Sequence, residues 1–290
     1  MSFSQKNWWH ERNGELGVSI LLDAKTLHKE KSEFQDIEIL KHDHFGTLLV
    51  LDGYIQACQA DEFIYHEMAV HVPLLGYVHD KASVLIVGGG DGGILREVLV
   101  HDFVDTVTMV EIDHRVIELS NKFLGIQGNY DDPRVSLRIE DAAAFVKGAI
   151  SAGKKFDLIV LDLTEPVGPS ANLFTEKFIS SLSTIVTEKG VILDSDSIFI
   201  SKIGSRFLQE ESAGVENLIN VMRRKKFLPK IDIYRTNIPF FPGADFGFFI
   251  YSQNNISLRE PKVTYVGRHY DPDIHKAAFI LPKWQQYLLE

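Results

Sequence analysis

The side chains of this chain that could do chemistry are carboxylates that follow predicted strands. Asp91 lies inside a glycine-rich segment, Gly-Gly-Gly-Asp-Gly-Gly at 88–93, between the apolar run 84–87 and a predicted helix. Glycines in such a loop let a ligand approach the backbone and the free N–H groups of the helix. A carboxylate in the loop repels a pyrophosphate, so we expect a ligand that offers hydroxyls or positive charge.

Acidic residues also follow the next four predicted strands: Glu111, Asp141, Asp162 and Asp194. A single acid at a strand end is ordinarily a helix cap or a solvated turn. Five in succession are harder to explain in that way, because ligands of open α/β sheets bind beyond the carboxyl ends of the strands. The pattern therefore predicts an acidic crevice at that edge of the sheet.

Two of these acids are spaced for a nucleoside. Glu111 lies about 20 residues beyond Gly90, where a nucleotide-binding fold places the acid that binds the ribose hydroxyls. Asp141 is positioned to meet an adenine amino group. The spacing leaves nicotinamide cofactors and sulfonium nucleosides both open, but the acidic rim favours a cationic ligand, since a pyrophosphate binds to Arg, Lys or bare N–H groups.

The loop after the fourth strand predicts a proton-accepting group. Asp162 and Glu165 stand at its start, and two prolines and a glycine stiffen it over the crevice. An amine must lose a proton before it attacks carbon, and a lysine-like amine has a pKa of about 10.4. A carboxylate within hydrogen-bond reach can hold that cation and take its proton. Tyr65 and His66 lie on a predicted helix that borders the same crevice.

An α/β fold must position these groups. Residues 14–58 contain short β-type runs, at 17–22, 35–41 and 46–51, separated by turns, which predicts a small N-terminal antiparallel β domain. A helix pattern covers 61–75, and from Ala82 onward strands and helices alternate, as in a doubly wound sheet. We divide the chain into a β domain, 1–60, and a catalytic domain, 61–290. The predicted strands from Ala82 onward are 84–87, 107–112, 135–139, 157–161, 190–193, 230–236 and 246–251, the last two antiparallel, and the helices are 92–101, 114–124, 142–149, 174–186 and 203–226.

Composition limits the function classes. With 40 acidic against 30 basic residues, the net charge of -10 argues against a nucleic-acid or anionic-membrane partner and suits cationic ligands. The basic cluster at 223–226 closes a predicted helix, which is typical of a solvated helix end. Cys58 is alone, which excludes an internal disulfide and a cysteine-based metal site. No apolar run reaches about 18 residues and the first residues lack a signal-peptide core, so we expect a cytoplasmic protein.

Taken together, the motifs resemble those of the polyamine aminopropyltransferases, above all the bacterial spermidine synthases. The resemblance covers nearly the whole chain, and the ordered set is far more specific than the glycine loop alone. The motifs are Trp-His-Glu at 9–11, Gln-Asp-Ile at 35–37, Leu-Asp-Gly-x-Ile-Gln at 51–56, Asp-Glu-Phe at 61–63, Tyr-His-Glu-Met at 65–68, the glycine loop at 88–93, Val-Glu-Ile-Asp at 110–113, Asp-Pro-Arg-Val at 132–135, the loop at 162–174, Ile-Pro at 238–239, Ala-Ala-Phe at 277–279 and Leu-Pro at 281–282.

The resemblance implies a Rossmann-like, methyltransferase-type catalytic domain behind the β domain, and assembly as a homodimer or homotetramer. It implies transfer of an aminopropyl group from decarboxylated S-adenosylmethionine to putrescine, which gives spermidine and methylthioadenosine. The nucleoside is then a co-substrate. The resemblance implies no further cofactor and no metal, because the sulfonium is already an activated leaving group.

The motifs of the family also imply roles for residues of this chain. Asp162 would be the general base, helped by Tyr65, and Asp91 would meet the aminopropyl amine. His66 and Glu165 would help to hold the diamine together with Asp162. The residues implied to bind the nucleoside are Gln35, Gln56, Gly88, Gly90, Asp91, Glu111, Asp141, Ala142 and Pro169, with Gln56 near the reacting sulfur.

The chain departs from the family pattern at four positions. Ala142 replaces a glycine beside the adenine, and Glu165 replaces the second aspartate of an Asp-x-x-Asp-Pro motif. Ser195 aligns with a glutamine and Phe241 with a tyrosine, both at the distal end of the amine site. Two hydrogen-bonding groups are lost there, so the sequence determines the acceptor less well than the donor.

Three alternatives stay open: transfer to a different amine acceptor, S-adenosylmethionine-dependent N-methylation of a small amine, and a nucleoside or polyamine binder without activity. Asp91 argues against the methyltransferase, because it would repel the carboxylate of a full methionine tail. Asp162, Tyr65 and the proline-containing loop argue against an inactive binder.

Overall fold

Two small antiparallel sheets form the N-terminal part of the computed structural model, which describes residues 8–11, 20–77, 80–126, 128–164, 168–197, 228–241, 245–254 and 256–289. Their strands are β1 (Trp8–His10), β2 (Leu21–Asp23), β3 (Lys25–Lys31), β4 (Asp36–His42), β5 (Gly46–Leu51) and β6 (Tyr54–Cys58). β1 pairs with β2, and β3 to β6 form a meander in sequence order. The predicted antiparallel β domain is confirmed.

The four-stranded sheet has apolar side chains on both faces, which attach it to the rest of the molecule. Ile37 and Ile39 of β4 pack in one core with Val116, which belongs to a later helix. Leu40 points the other way and packs in a second core that includes Phe240. The predicted runs did not include β1, β3 or β6. β3 was missed because its residues are mostly charged and exposed, so no alternation marks it. The predicted run that begins at Gly17 lies partly outside the described residues.

A seven-stranded mixed sheet forms the second part. Its strands are β7 (Ala82–Gly88), β8 (Val104–Glu111), β9 (Val135–Ile139), β10 (Phe156–Asp162), β11 (Val186–Ser197), β12 (Lys230–Asn237) and β13 (Asp245–Ser252). The order across the sheet is β12-β13-β11-β10-β7-β8-β9. β11, β10, β7, β8 and β9 are parallel, whereas β13 runs antiparallel to β11 and β12 antiparallel to β13. The doubly wound α/β fold class and the antiparallel last pair are confirmed.

Helices cover both faces of this sheet. They are α1 (Glu62–Gly76), α2 (Gly93–Leu99), α3 (His114–Phe123), α4 (Ala142–Ser151), α5 (Glu176–Ile185) and α6 (Pro272–Ala278), with 3-10 segments at Gly168–Phe174 and Lys283–Leu289. Residues of α1 and α2 share one apolar core with the sheet, and residues of α4 and α5 share the core on the opposite face. The division of the chain at residue 60 stays a prediction. It assigned α1 to the catalytic domain, and α1 does pack against the seven-stranded sheet.

The structure corrects one sequence prediction about the acidic residues. The fifth strand was expected to end at Asp194, but β11 continues to Ser197 because it pairs with β13, with Asp194 opposite Phe249 and Ser197 opposite Phe246. Asp194 is therefore an interior strand residue, and its side chain is buried. The predicted helix at 203–226, with its basic cluster, lies outside the described residues. Among the described residues, no helix has the length and apolar character needed to cross a membrane.

Candidate active site

A cavity of about 350 Å³ opens at the carboxyl ends of the parallel strands, between them, α1 and the four-stranded sheet. The predicted site residues that line it are Gln35, Gln56, Tyr65, His66, Gly88, Gly90, Asp91, Glu111, Asp141, Ala142 and Asp162. Glu165 lies outside the described residues, and of Pro169 only the backbone, in the 3-10 segment, is described. Ser195 and Phe241, the two departures at the amine end, line the same cavity.

The glycine loop follows β7 and lies against the end of the neighbouring strand, β10. Gly88 has a φ of +86°, a conformation that side chains rarely adopt, and a Cβ there would overlap the carbonyl oxygen of Asp162. The neighbouring Gly89 N–H donates to that same carbonyl over 3.2 Å. The glycines thus allow the loop that carries Asp91 to lie against the end of β10. This close approach places two carboxylates, Asp91 and Asp162, in one cavity.

Asp162 is held by a tyrosine from α1. The Tyr65 hydroxyl donates to Asp162 Oδ1 over 2.8 Å and lies 3.0 Å from Ser195 Oγ. Burial raises the pKa of Asp162 to about 6, the negative charge of Asp91 adds to the rise, and the positive charge of His66 and the Tyr65 hydrogen bond oppose it. Burial and the charge of Asp162 hold the pKa of Tyr65 well above its usual value. Tyr65 is therefore a neutral donor, and Asp162 is a carboxylate able to take a proton near neutral pH.

Asp91 bridges the loop and His66. Its Oδ1 accepts from the Gly93 N–H at 2.8 Å, and its Oδ2 lies 3.1 Å from His66 Nε2. Burial alone would lower the pKa of His66, but the charge of Asp91 and the hydrogen bonds to Asp91 and Glu62 raise it to about 10. Burial would raise the pKa of Asp91, but the charge of His66 and its hydrogen bond lower it. The pair is therefore an imidazolium facing a carboxylate.

Glu62 is a contributor to this site that the sequence did not single out. Its Oε2 lies 2.6 Å from His66 Nδ1, and Arg96 donates to both of its oxygens, over 3.1 and 2.9 Å. The spacing of Glu62 and His66 by one helical turn was a signal that could have found this pair. Arg96 gave no such signal, because only the packing of α2 on α1 brings it there.

Glu111 occupies the end of β8, where a ribose acid was predicted. Its Oε1 accepts from the Asp113 N–H at 2.8 Å, and Gln35 Nε2 donates to Asp113 Oδ2 over 3.0 Å. Burial raises the pKa of Glu111 to about 7 against that backbone hydrogen bond, and the charge of Asp113 adds to the rise. Since Gln35 precedes β4, this network ties the N-terminal sheet to the part of the cavity that Glu111 lines.

Asp141 caps a helix and also lines the cavity. Its Oδ1 accepts from the Ala144 N–H at 2.8 Å and caps α4, which is the ordinary role of an acid after a strand. The residue also lines the cavity together with Ala142, Leu173 and Phe174. The cap uses one carboxylate oxygen, so the other is available to accept from an adenine amino group, and the apolar neighbours suit the base itself.

The cavity wall also contains aromatic rings and further acids. Phe241 and Phe246 line it with ring centroids 5.4 Å apart, and the Tyr65 ring meets Phe246 edge-on at 5.6 Å. The sequence reasoning missed two buried acids that also line the cavity, Glu11 and Asp61. Glu11 belonged only to an N-terminal motif. Asp61 Oδ2 accepts from the Phe240 N–H at 2.8 Å across 179 positions, a contact that no local pattern indicates.

The centre of the cavity can hold a cation. Ligand atoms of His66, Asp91 and Asp162 all lie within 4.8 Å of one another, close enough for one small cation. Both ring nitrogens of His66 already face carboxylates, and an imidazolium has no lone pair to give a metal. The donor set therefore favours an organic ammonium, which binds through charge and N–H donation.

Comparisons with known proteins agree with this geometry. A family model described as the spermine/spermidine synthase domain matches residues 62–260, and one described as the spermidine synthase tetramerisation domain matches residues 7–59. Among similar proteins, a polyamine aminopropyltransferase of Bacillus subtilis is 37% identical, over 98% of this chain and 99% of that protein. A spermidine synthase of Dictyostelium discoideum is 36% identical, over 96% of each chain.

Solved structures agree as well. A spermidine synthase in complex with the transition-state analogue AdoDATO matches with a TM-score of 0.83 and 28% identity, over 98% of this chain and 95% of that one. The spermidine synthase of Thermotoga maritima matches with a TM-score of 0.81 and 28% identity, over 98% and 94%. The suspected resemblance is therefore confirmed: the chain is an enzyme of the spermine/spermidine synthase family, the polyamine aminopropyltransferases.

Proposed function

We propose that this protein transfers the aminopropyl group of decarboxylated S-adenosylmethionine to putrescine, giving spermidine and methylthioadenosine, with Asp162 as the general base. The observation that carries the proposal is the pairing of Asp162 with Tyr65 in a cavity that also holds Asp91. A pKa of Asp162 near 6 suits a group that must be ionised before the reaction and must take a proton during it.

The charges of the cavity favour a decarboxylated donor. Asp91 faces the cavity, and a full methionine tail would bring a carboxylate towards it. A decarboxylated tail brings only an ammonium, which Asp91 attracts. Glu111 and Asp141 line the same cavity, and in this proposal they accept from the ribose hydroxyls and the adenine amino group. Because Asp91 attracts an ammonium and repels a carboxylate, we prefer aminopropyl transfer over N-methylation.

The reaction is an in-line displacement at carbon. The acceptor ammonium gives one proton to Asp162, and the freed nitrogen lone pair attacks the aminopropyl carbon next to the sulfonium. The carbon–sulfur bond breaks with its electron pair going to sulfur, which leaves neutral methylthioadenosine and a secondary ammonium product. The nearby sulfonium and imidazolium charges lower the pKa of the acceptor amine, and positioning supplies much of the remaining rate. No metal or further cofactor is required by these steps.

For the acceptor, putrescine has a competing candidate, a different amine. Ser195 and Phe241 stand in the cavity where the family pattern has a glutamine and a tyrosine, so the distal ammonium of putrescine loses two hydrogen-bonding partners. The buried acids Glu11 and Asp194 line the same cavity, and their carboxyl oxygens are candidate acceptors for that ammonium. A more apolar wall also suits a longer amine, so transfer to a different acceptor is the second candidate.

Product identification by mass spectrometry tests the proposal. The protein is incubated with decarboxylated S-adenosylmethionine or S-adenosylmethionine, each against putrescine, cadaverine, agmatine and spermidine. We expect spermidine and methylthioadenosine from the first donor with putrescine, and no methylated amine from the second. A methylated product, or methylthioadenosine release only with another amine, would replace the proposal by the corresponding alternative.

The assembly is also a proposal. The match of residues 7–59 to a tetramerisation domain supports a homodimer or homotetramer in which the N-terminal sheets meet. The mass of the particle in solution, from light scattering on a size-exclusion column, tests this. A single-chain mass at micromolar concentration would contradict it.

A further inference from the structure

We propose that Glu62 and Arg96 are positioning residues of this site: they hold His66 as an imidazolium that points at Asp91, and thereby set the charge that the substrate amines meet. The inference rests on the proposed function, because it concerns how the same cavity treats cationic substrates. Neither residue belongs to the predicted base, amine or nucleoside groups.

His66 has a carboxylate at each ring nitrogen. Nδ1 lies 2.6 Å from Glu62 Oε2, and Nε2 lies 3.1 Å from Asp91 Oδ2. The side chain of His66 is 3% exposed, so water does not provide alternative partners. An ionised carboxylate only accepts hydrogen bonds, and a neutral imidazole has only one N–H to donate. Both contacts are hydrogen bonds only when His66 carries two protons.

Arg96 keeps Glu62 ionised and aligned. Its guanidinium donates to both oxygens of Glu62, and its Nε donates to Glu97 Oε1 over 2.7 Å. Burial raises the pKa of Glu62, but the hydrogen bonds and charges of His66 and Arg96 outweigh burial and lower it. A forked Arg–carboxylate pair fixes orientation as well as charge. Glu62 is therefore held in the one orientation that reaches Nδ1.

Close packing restricts the orientation of the His66 ring. Gly93 lies against the face of the imidazole so closely that a Cβ on Gly93 would overlap the ring. The Tyr65 ring meets the imidazole edge-on, with centroids 5.2 Å apart. The charged and titratable groups around His66 are thus Glu62 and Tyr65 from its own helix, Asp91 from the glycine loop, Arg96 from α2 and Asp162 from β10.

The imidazolium acts on the base through space. The charge of His66 lowers the pKa of Asp162, whereas the charge of Asp91 raises it. Burial lowers the pKa of His66, and without Glu62 this effect is opposed by Asp91 alone. In this proposal the ring is then neutral over the pH range in which Asp162 titrates. The negative charge of Asp91 is then uncompensated, so the pKa of Asp162 moves up. A smaller fraction of the enzyme then has Asp162 ionised at neutral pH, so activity falls there and recovers at higher pH.

Glu62→Gln tests this through the pH profile of kcat/KM. We expect the acid limb to move up by about one pH unit, which is about a tenfold loss below the limb, with near-complete recovery at pH 9. We expect most of the effect in kcat, because the substitution acts on the ionisation of Asp162 and not on a residue proposed to bind the nucleoside. Glu62→Asp keeps the charge and should restore part of the shift. An acid limb that stays in place in Glu62→Gln overturns the proposal.

Glu97→Gln is the matched control. Glu97 is a buried carboxylate on the same arginine, with Oε1 at Arg96 Nε and Oε2 3.2 Å from His71 Nε2, and it does not contact His66. A purely structural role of the cluster predicts equal losses of thermal stability and equal pH profiles for both variants. The proposal predicts that the acid limb of Glu97→Gln, unlike that of Glu62→Gln, stays within about 0.3 pH units of the wild type. Equal shifts in the two variants count against it.

Nitrogen-15 NMR of the histidine rings in the ligand-free protein gives a readout that needs no turnover. The His66 signals are assigned by their loss in His66→Gln. We expect both His66 ring nitrogens to be protonated at pH 8, and a neutral tautomer at that pH would overturn the proposal even if Glu62→Gln fails to fold. A protonated His66 in a protein that transfers no aminopropyl group would reject the proposed function while leaving the positioning role in place.

Discussion

The hydroxyl of Tyr65 donates to Asp162 Oδ1 over 2.8 Å, although the two residues lie 97 positions apart. Tyr65 belongs to α1 and Asp162 ends β10, and α1 reaches the sheet because its apolar residues share a core with β7 and β10. The helix that carries His66 therefore also aligns the proposed base. The predictions for Tyr65 and Asp162 depend on this relationship between one helix and one strand end.

Tyr65→Phe should slow the reaction by about tenfold or more while leaving the nucleoside affinity nearly unchanged. Phenylalanine keeps the ring contacts with Phe246 and Phe248 but removes the only group that donates to Asp162 from α1. The pKa of Asp162 then rises, because the hydrogen bond that lowers it is lost. Steady-state kinetics over pH 5–9 measure the effect. Ser195→Ala, which keeps the Tyr65–Asp162 contact, should stay within about threefold of the wild type.

Asp162→Asn should stabilise the folded protein above pH 6. Asp162 has a pKa of about 6 in the folded state against an ordinary value of 3.8, so the folded state binds this proton more tightly than the unfolded state. Stability contributed by the site therefore falls as the pH rises from about 4 to about 6, and the cost of at most about 3 kcal/mol persists above that window. Denaturant unfolding at pH 4 and pH 8 measures it. Equal stability of the two proteins at pH 8 would mean that no such cost exists.

Gly93→Ala should damage catalysis more than stability. A Cβ at Gly93 overlaps the His66 ring, so His66 must move away from Asp91 or α2 must shift. We expect kcat/KM to fall by at least about tenfold, measured at saturating donor. Gly148→Ala is the control, since a Cβ at this position of α4 meets nothing within 4 Å. It should leave activity unchanged and raise the unfolding free energy by about 0.5–1 kcal/mol, because alanine favours helix interiors.

Asp91→Asn should weaken the discrimination between the two donors. The wild type should bind decarboxylated S-adenosylmethionine at least about tenfold more tightly than S-adenosylmethionine, because Asp91 attracts the ammonium and repels the carboxylate. Calorimetric titration of both nucleosides measures the ratio. Asparagine keeps the size of the side chain, so a ratio that does not change would show that Asp91 does not read the charge of the tail.

The sequence predicted those parts of the site that depend on strand ends. Alternating strands and helices place the residues that follow parallel strands at one edge, so Asp91, Glu111, Asp141 and Asp162 were expected together and line one cavity. The regular strand–helix alternation also indicated the sheet. Asp194 was assigned to the same edge for the same reason, and it does line the cavity, but as an interior residue of β11, because the antiparallel partner β13 extends that strand beyond it.

What the sequence could not predict depends on contacts between distant elements. Arg96 reaches Glu62 only because α2 packs on α1, and Asp61 meets the Phe240 N–H only after the whole sheet has formed. The protonation of His66 follows from these contacts and not from its position in a motif. β3 was missed because a charged, exposed strand has no apolar alternation to mark it.

A single-turnover measurement on Asp162→Asn tests the central claim most directly. Enzyme in excess is mixed with decarboxylated S-adenosylmethionine and putrescine between pH 5 and pH 9, and methylthioadenosine formation is followed by rapid quench. We predict a rate constant at least about 100-fold below the wild type at neutral pH, with the acid limb near pH 6 absent and nucleoside binding retained. A variant that turns over within a few-fold of the wild type, with the acid limb intact, would contradict Asp162 as the base.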